Sequence, residues 1–447
     1  MSSTKILNVR GTPGANGQSG PRSVSTDSGN AARLGSDSLA FVPVVPVADA
    51  TQNGLLRQVS GNTTDIVDGT NHCQPLTPAV QPIIGSLRMR SYNSLGNPNF
   101  EVNQRSVGAS INAPAGTASG WIADRWSLGK SAATAAMTFQ QVAGAVFVPG
   151  TNFQISRCNY TVTLTAQQAS LAAGDYIQIN QEVEGPNFRP LSSDVHSVSL
   201  LVWCSSAPVT FTVVLGSLSS PYRSLSKLFT ISTASTWTLC TLPNLPLWPA
   251  STAWPTAPGS PAYWFSIGLG AGTTYTSPAN DTWQNNNYVV GPGSTNFASL
   301  PVNTQFKMAF CQHEPGPYCS SLIDLPFFDN LLACQRYFQK SVGYATMIPD
   351  TGGSMYISFG CQVGGNNAGT RLAIRFPVEM AKTPTVTLYD YVGNAGQLYI
   401  ETIGNVPVTS ITAMTTGVAN VNLTNAPTGQ TNYSNAALGQ WKADTGW

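Results

Sequence analysis

The sequence predicts an all-β protein with three parts: an extended N-terminal arm over residues 1–85, a jelly-roll β-sandwich over 86–340 and a smaller C-terminal β domain over 341–447. Apolar and polar residues alternate with period two in many short segments, and clusters of Gly, Pro, Asn and Ser separate these segments. Helical periodicity is nearly absent. Many short strands joined by frequent turns are typical of a jelly-roll sandwich.

The N-terminal arm is predicted from composition. Residues 1–85 are poor in aromatic residues, rich in Gly, Ser, Asn and Asp, and lack helical or strand periodicity. Gly11, Gly14, Gly17 and Gly20 occur at every third position, as in collagen, but so few triplets cannot form a stable triple helix. A flexible Gly/Ser/Pro linker is the simpler interpretation of this stretch.

Strand signals repeat from about residue 86 to residue 325. Residues 176–180 and 263–269 place apolar side chains at every second position, whereas 198–204 and 211–215 are short apolar runs. The Pro- and Gly-rich residues 255–261 cannot continue a strand ladder, so they are predicted to form a loop.

One short helix is predicted to close the sandwich. Asp329 lies near its start and Arg336 and Lys340 near its end, as the helix dipole favours. Its apolar positions follow the spacing i, i+4, i+7, i+11 and are Phe327, Leu331, Cys334 and Phe338.

Strand alternation resumes after this helix. It is found in residues 372–376 and 385–389, and residues 381–384 supply a turn between them. These segments predict the C-terminal β domain. No repeat of solenoid period occurs, which argues against a β-helix.

Charge and hydropathy exclude several classes of protein. Charged residues make up 9% of the chain, against about 25% in ordinary soluble domains. The net charge is +1 without a dense Lys/Arg run, so neither nucleic acid nor anionic lipid is an expected partner. No apolar run is long enough to predict membrane insertion, and the first residues show no signal-peptide pattern, so synthesis in a cytosol is expected.

The 8 cysteines show no repeated spacing, which favours buried free thiols over a disulfide framework. Cys311, His313, Cys319 and Cys334 are zinc-ligand types, but the closely spaced Cys or His pairs of structural zinc sites are absent. No metal or other cofactor is therefore predicted. Whether Cys311 and Cys319 form a disulfide is left open.

Aromatic and amide residues concentrate in the second half of the sandwich. Aromatic rings stack on the apolar faces of sugars, and amides bind sugar hydroxyls. Most aromatic residues of a sandwich belong to its core, and Trp264, inside an apolar run, is predicted to be buried. The candidate carbohydrate-binding residues are Trp254, Trp283, Tyr275, Tyr288 and Asn286.

No catalytic residue is predicted. Asp175, Glu182 and Glu184 could supply the acid and base of a glycosidase, and residues 182 and 184 share one face of a strand. The competing interpretation is a charged rim or a salt bridge to Arg189. The 3 histidines lie in no Gly-x-Ser-x-Gly nucleophile motif.

Five short phrases stand out along the chain: Asn97–Arg105, Asp124–Trp126, Gly174–Tyr176, Gln181–Gly185 and Leu331–Ser341. In order and spacing they resemble a family of tailed-bacteriophage tail-fibre and virion-surface structural proteins. The similarity covers about residues 95–447. The N-terminal arm has no counterpart, and the segment from Cys311 to Cys319 departs from the usual pattern.

The resemblance implies a carbohydrate-binding-module-like jelly roll that Asn97–Arg105 opens, with Trp126 on the following strand. It also implies a non-enzymatic virion protein made in the host cytoplasm, a fibre or receptor-binding protein that attaches the particle to its host. The expected partners are other virion proteins through the N-terminal arm, further copies of the chain in a homotrimer, and a host surface glycan.

Two other functions stay open. The first is a capsid decoration or neck protein that stabilises the particle and binds no receptor. The second is a polysaccharide depolymerase. The attachment point, whether tail, neck or capsid, is also left open because the arm matches nothing in the family.

Overall fold

The computed structural model describes residues 92–351, 357–363, 370–400, 404–413, 416–423 and 433–446, together with four short strands nearer the N-terminus. The chain divides into two compact units, Met1–Ile84 and Gly85–Trp447.

The described residues of the first unit form two short antiparallel pairs. Strand β1 (Arg33–Leu34) pairs with β2 (Ala40–Phe41), and β3 (Asp65–Val67) pairs with β4 (Cys73–Pro75). The rest of the predicted N-terminal arm, including the glycines at every third position, lies outside the described residues.

The second unit contains an antiparallel sandwich of a 7-stranded and a 6-stranded sheet. Its strands, in chain order, are β5 (Ile111–Ala113), β6 (Gly116–Ala123), β7 (Trp126–Ala132), β8 (Ala136–Phe147), β9 (Gln154–Ala166), β10 (Tyr176–Glu184), β11 (His196–Cys204), β12 (Val209–Ser217), β13 (Arg223–Ile231), β14 (Thr238–Leu245), β15 (Pro261–Ala271), β16 (Trp283–Asn285) and β17 (Gln305–Pro315).

The connectivity is that of a jelly roll. The first sheet has the order β16-β13-β12-β15-β10-β7-β6 and the second has the order β14-β11-β17-β9-β8-β5. Four antiparallel pairs, β9 with β17, β10 with β15, β11 with β14 and β12 with β13, lie alternately in the two sheets. A two-stranded ribbon wrapped in this way is a jelly roll, so the predicted fold class is confirmed.

Each segment of the sandwich that was predicted to form a strand lies within a strand of the structure. Residues 176–180 belong to β10, where buried and half-buried positions alternate. Residues 198–204, 211–215 and 263–269 lie within β11, β12 and β15, whose side chains are nearly all buried. The predicted loop at 255–261 is also found, and β15 begins at its last residue.

Aromatic rings fill the space between the two sheets. Trp126 from β7 packs edge-to-face on Phe265 from β15, with ring centroids 6.0 Å apart, and both side chains are fully buried. Phe100, from the segment before the first sandwich strand, places its ring 5.0 Å from that of Trp126. Each such ring contributes roughly 1.5–3 kcal/mol through burial.

The segment Asn97–Arg105 contains no strand, yet most of it is buried. The side-chain amide of Asn97 donates to the carbonyl oxygens of Val102 and Asp124, at 2.8 Å each. The indole N–H of Trp126 donates to the backbone oxygen of Asn97 at 3.0 Å. These bonds fix the buried segment to the start of β7.

Two α-helices occur among the described residues, α1 (Gly185–Phe188) and α2 (Phe327–Gln335). Helix α2 is the predicted closing helix, but extending its apolar stripe to Phe338 was wrong. Tyr337 and Arg336 bind Glu184, and Phe338 then pairs in a strand with Asp444, so the chain leaves the helix after Gln335. No helix of the described residues has both the length and the apolar content to cross a bilayer.

The C-terminal part of the second unit is an 8-stranded sheet with its own apolar core. Its longest strand, β25, pairs with β18, β19, β21 and β22. The strands are β18 (Phe338–Lys340), β19 (Ile357–Val363), β20 (Thr370–Arg375), β21 (Thr385–Tyr389), β22 (Gln397–Ile400), β23 (Gly404–Ala413), β24 (Val418–Leu423) and β25 (Tyr433–Asp444).

Both strand segments predicted for this region are found, as β20 and β21. Strand β18 begins at Phe338, a few residues before the predicted domain boundary at 341. The division into a sandwich and a C-terminal domain stays a prediction, because the second compact unit spans both.

Candidate functional site

A groove of about 230 Å³ lies on the outer face of the seven-stranded sheet; we call it the β10 groove. Strand β10 supplies its floor because its inward residues, such as Ile177 and Ile179, fill the core and leave the alternate side chains facing outward. The lining residues are Tyr176, Gln178, Asn180, Glu182, Leu218, Trp264, Tyr275, Asn287 and Val289.

Three aromatic rings shape the groove. The Trp264 indole lies over Gly216 of the neighbouring strand β12, where the missing side chain leaves room for it. Tyr176 and Tyr275 meet edge-to-face with ring centroids 5.2 Å apart. Strand β10 and the turn after β15 thus each contribute one tyrosine to a common wall.

Each side-chain amide oxygen of the groove floor accepts a hydrogen bond from a serine hydroxyl. The Ser127 hydroxyl donates to Oδ1 of Asn180 at 2.8 Å, and the Ser266 hydroxyl donates to Oε1 of Gln178 at 3.2 Å. Each amide is thereby oriented with its NH₂ group away from the serine. The groove floor therefore offers the NH₂ groups of Gln178 and Asn180 to a ligand as hydrogen-bond donors.

Glu182 is the one carboxylate among the described residues that line the groove. Burial raises its pKa, and the positive charges of Arg125 and Lys382 oppose that rise. The Arg125 guanidinium donates to the backbone oxygen of Glu182 and stacks 3.5 Å above the Tyr337 ring. Arg125 therefore contacts the main chain of β10 and does not line the groove.

Glu184 does not line the groove with Glu182. Arg336 donates to both of its carboxylate oxygens, at 2.7 and 3.1 Å, and the Tyr337 hydroxyl adds a bond of 2.6 Å. The Gly259 amide donates at 2.7 Å. These bonds outweigh the effect of burial and lower the pKa of Glu184. The alternative prediction of a salt bridge to Arg189 was wrong, because the carboxylate of Glu184 pairs with Arg336.

The structure separates the candidate carbohydrate-binding residues. Tyr275 lines the β10 groove. Asn286, which is exposed, and Tyr288, which is half-buried, flank the lining residue Asn287 in sequence. The sequence prediction missed Gln178 and Asn180 of β10, although their period-two alternation was visible, because polar outward positions also occur on strands that bind nothing.

Trp254 and Trp283 lie in another aromatic cluster, around the buried Trp248. The indole N–H of Trp254 donates to the Pro249 oxygen at 3.0 Å, and that of Trp283 donates to the Leu247 oxygen at 2.8 Å. Both rings are half-buried against the core. Trp264 is 6% exposed, as predicted from its apolar run, and its remaining surface faces the groove.

The cysteines of the described residues are free thiols. Cys158, Cys204, Cys240, Cys311 and Cys334 are buried and Cys319 is partly exposed. The side chains of Cys73 and Cys361 lie outside the described residues. No group of metal-ligand residues within the described ranges is arranged to hold an ion.

His313, one of the zinc-ligand types considered in the sequence, takes part in a buried network of hydrogen bonds. Its Nδ1 lies 2.6 Å from the Tyr263 hydroxyl and its Nε2 lies 3.0 Å from Nδ1 of His196. The Nε2 of His196 lies 3.1 Å from the Pro246 oxygen, which can only accept.

No model of a known protein family matches the chain, and no curated protein sequence matches it significantly.

Proposed function

We propose that this chain is a structural protein of a tailed-phage virion, a fibre or receptor-binding protein that attaches the particle to a glycan on the host surface. The resemblance of its short phrases to that family supports the virion assignment. The observation that carries the receptor-binding part is the β10 groove, which combines aromatic rings with amide donors on an open sheet face.

The groove chemistry suits a saccharide. The rings of Tyr176, Tyr275 and Trp264 offer apolar surface to one face of a pyranose, and the amides of Gln178 and Asn180 offer donors to its hydroxyl oxygens. The volume of about 230 Å³ is below the range of about 300–1,000 Å³ that is usual for small-molecule pockets. A single sugar ring of a longer chain fits this size.

Shallow sites of this kind bind weakly, and a virion compensates by displaying many copies. After one copy has bound the cell, the next binding event is effectively intramolecular, so avidity exceeds the affinity of one site by about 10²–10⁴. We propose a homotrimer held on the particle through the N-terminal arm. The proposal requires no enzymatic activity.

The test uses the full-length chain on a glycan array and on host cells. Tyr176→Ala and Asn180→Ala remove one stacking ring and one donor from the groove and should each lower glycan binding by about 10-fold or more. The matched control is Trp203→Ala, because Trp203 is a half-exposed tryptophan on the outer face of the other sheet, where its ring contacts Lys307. This control should bind like the wild type.

A chain that binds assembled particles but neither glycans nor cells would contradict receptor binding and favour the decoration or neck role. Release of reducing sugar from host capsule, abolished by Glu182→Gln, would instead favour the depolymerase role.

A further inference from the structure

The charge of the β10 groove restricts which saccharides it can hold. Among the described residues that line the groove, Glu182 carries the one formal charge, and none of them is Lys, Arg or His. A sugar carboxylate, sulfate or phosphate bound there would therefore meet a like charge without a lining cation to pair with it. Placing like charges in contact is a strong form of discrimination between ligands.

The nearby cations do not reverse this restriction. Arg125 is 3% exposed, and its guanidinium bonds the backbone oxygen of Glu182 while it stacks on Tyr337. Lys382 acts on Glu182 through its charge but is not a lining residue. An anionic sugar in the groove would contact Glu182 before either cation.

Glu182 adds a charged acceptor to the groove floor. Gln178 and Asn180 offer NH₂ donors, while a serine hydroxyl already bonds one lone pair of each amide oxygen. The carboxylate of Glu182, two positions along the same face of β10, is an acceptor with two oxygens. Two adjacent sugar hydroxyls can donate to these oxygens while the amides donate to the oxygens of other hydroxyls.

We propose that the β10 groove takes an uncharged saccharide and that Glu182 sets this preference, by accepting hydrogen bonds from adjacent hydroxyls and by repelling acidic sugars. The inference rests on the proposed glycan-binding function. It adds the class of ligand and the residue that selects it.

The experiment compares neutral and acidic probes on the full-length chain. A glycan array should give hits among neutral hexose glycans, and uronate- or sialate-containing glycans of related linkage should bind at least about 10-fold more weakly. Oligogalacturonate and its methyl ester are a direct pair, because esterification removes the charge and keeps the sugar chain. The ester should bind more tightly than the acid.

Glu182→Gln is nearly isosteric and removes the charge. This variant should bind neutral glycans about 10-fold more weakly and should lose the discrimination between oligogalacturonate and its ester. The matched control is Asp329→Asn, which removes an exposed carboxylate on α2 away from the groove and should leave both affinities unchanged. Thermal unfolding of both variants checks that the fold is intact.

The outcomes separate the two proposals. Wild-type binding to acidic glycans that equals or exceeds binding to neutral ones would overturn the preference while leaving glycan attachment intact. Unchanged discrimination in a folded Glu182→Gln variant would remove Glu182 from the proposed role. If the wild type binds no glycan at all, the receptor-binding function fails and this inference fails with it.

Discussion

The indole of Trp264 lies over Gly216, its antiparallel partner on strand β12, so closely that a Cβ added to Gly216 would stand 2.2 Å from the indole Cε2 and Nε1 atoms. Real Cβ atoms do not approach other atoms so closely. The missing side chain at position 216 therefore decides where the Trp264 ring lies, and with it one wall of the β10 groove.

Gly216→Ala should displace the indole and destabilise the fold by roughly 1–3 kcal/mol, as overpacking does. Glycan binding should fall in the same variant. Urea unfolding and the array measure the two effects. Gly120→Ala is the control, because nothing lies within 4 Å of a Cβ at that position of β6. A stable Gly216→Ala protein with unchanged binding would contradict the assigned role of the pair.

The buried histidines predict how stability depends on pH. His196 is fully buried, and burial lowers its pKa to about 4; burial and His196 together lower the pKa of His313 well below its usual value. In the unfolded chain both residues titrate near 6.5. Between these values the unfolded state binds more protons than the folded state, so stability is lost as the pH falls from about 6.5 towards 4.

Each such histidine contributes a slope of roughly 1 kcal/mol per pH unit between pH 5 and pH 6. Asp124 acts in the opposite direction, because burial raises its pKa to about 6. The measurement therefore compares the wild type with His196→Gln by urea unfolding across this interval. The variant should be less stable at pH 7 and should have the shallower slope. Equal slopes would contradict neutral buried histidines.

The ion pair between Glu184 and Arg336 joins the end of β10 to the residue after α2. Glu184 is 3% exposed, so Arg336→Met leaves a buried carboxylate without its main partner and should cost about 2–3 kcal/mol. Arg189→Met is the control, since Arg189 is exposed and makes one long bond to the Thr256 oxygen. Urea unfolding should separate the two variants. Equal losses would contradict the pairing.

The thiols of Cys311 and Cys319 are expected to remain unpaired. Cys311 is fully buried, and burial raises the pKa of both thiols, so neither forms the reactive thiolate readily. Non-reducing digestion and mass spectrometry should find no peptide that links the two residues. Iodoacetamide in native buffer should modify Cys319 faster than Cys311, because Cys319 is partly exposed. A linked peptide would contradict this prediction.

Sequence patterns predicted the strands well and the site poorly. The alternation at residues 176–180 identified both β10 and its inward face, because that pattern depends on one strand alone. Tyr275 was selected for its ring and does line the groove. Trp254 and Trp283 were selected by the same criterion, but their loops fold back onto Trp248, which no local pattern indicates.

The sequence by itself determined the all-β class, the course of the main strands and the helix at Phe327, since each follows from the side-chain period of a few neighbouring residues. Only the tertiary structure decided which side chains meet. Trp264 lies over Gly216 because β12 and β15 pair in one register, and Arg336 reaches Glu184 because the end of α2 lies against the end of β10. That register is set by the packing of the two sheets as a whole, so no short segment contains it.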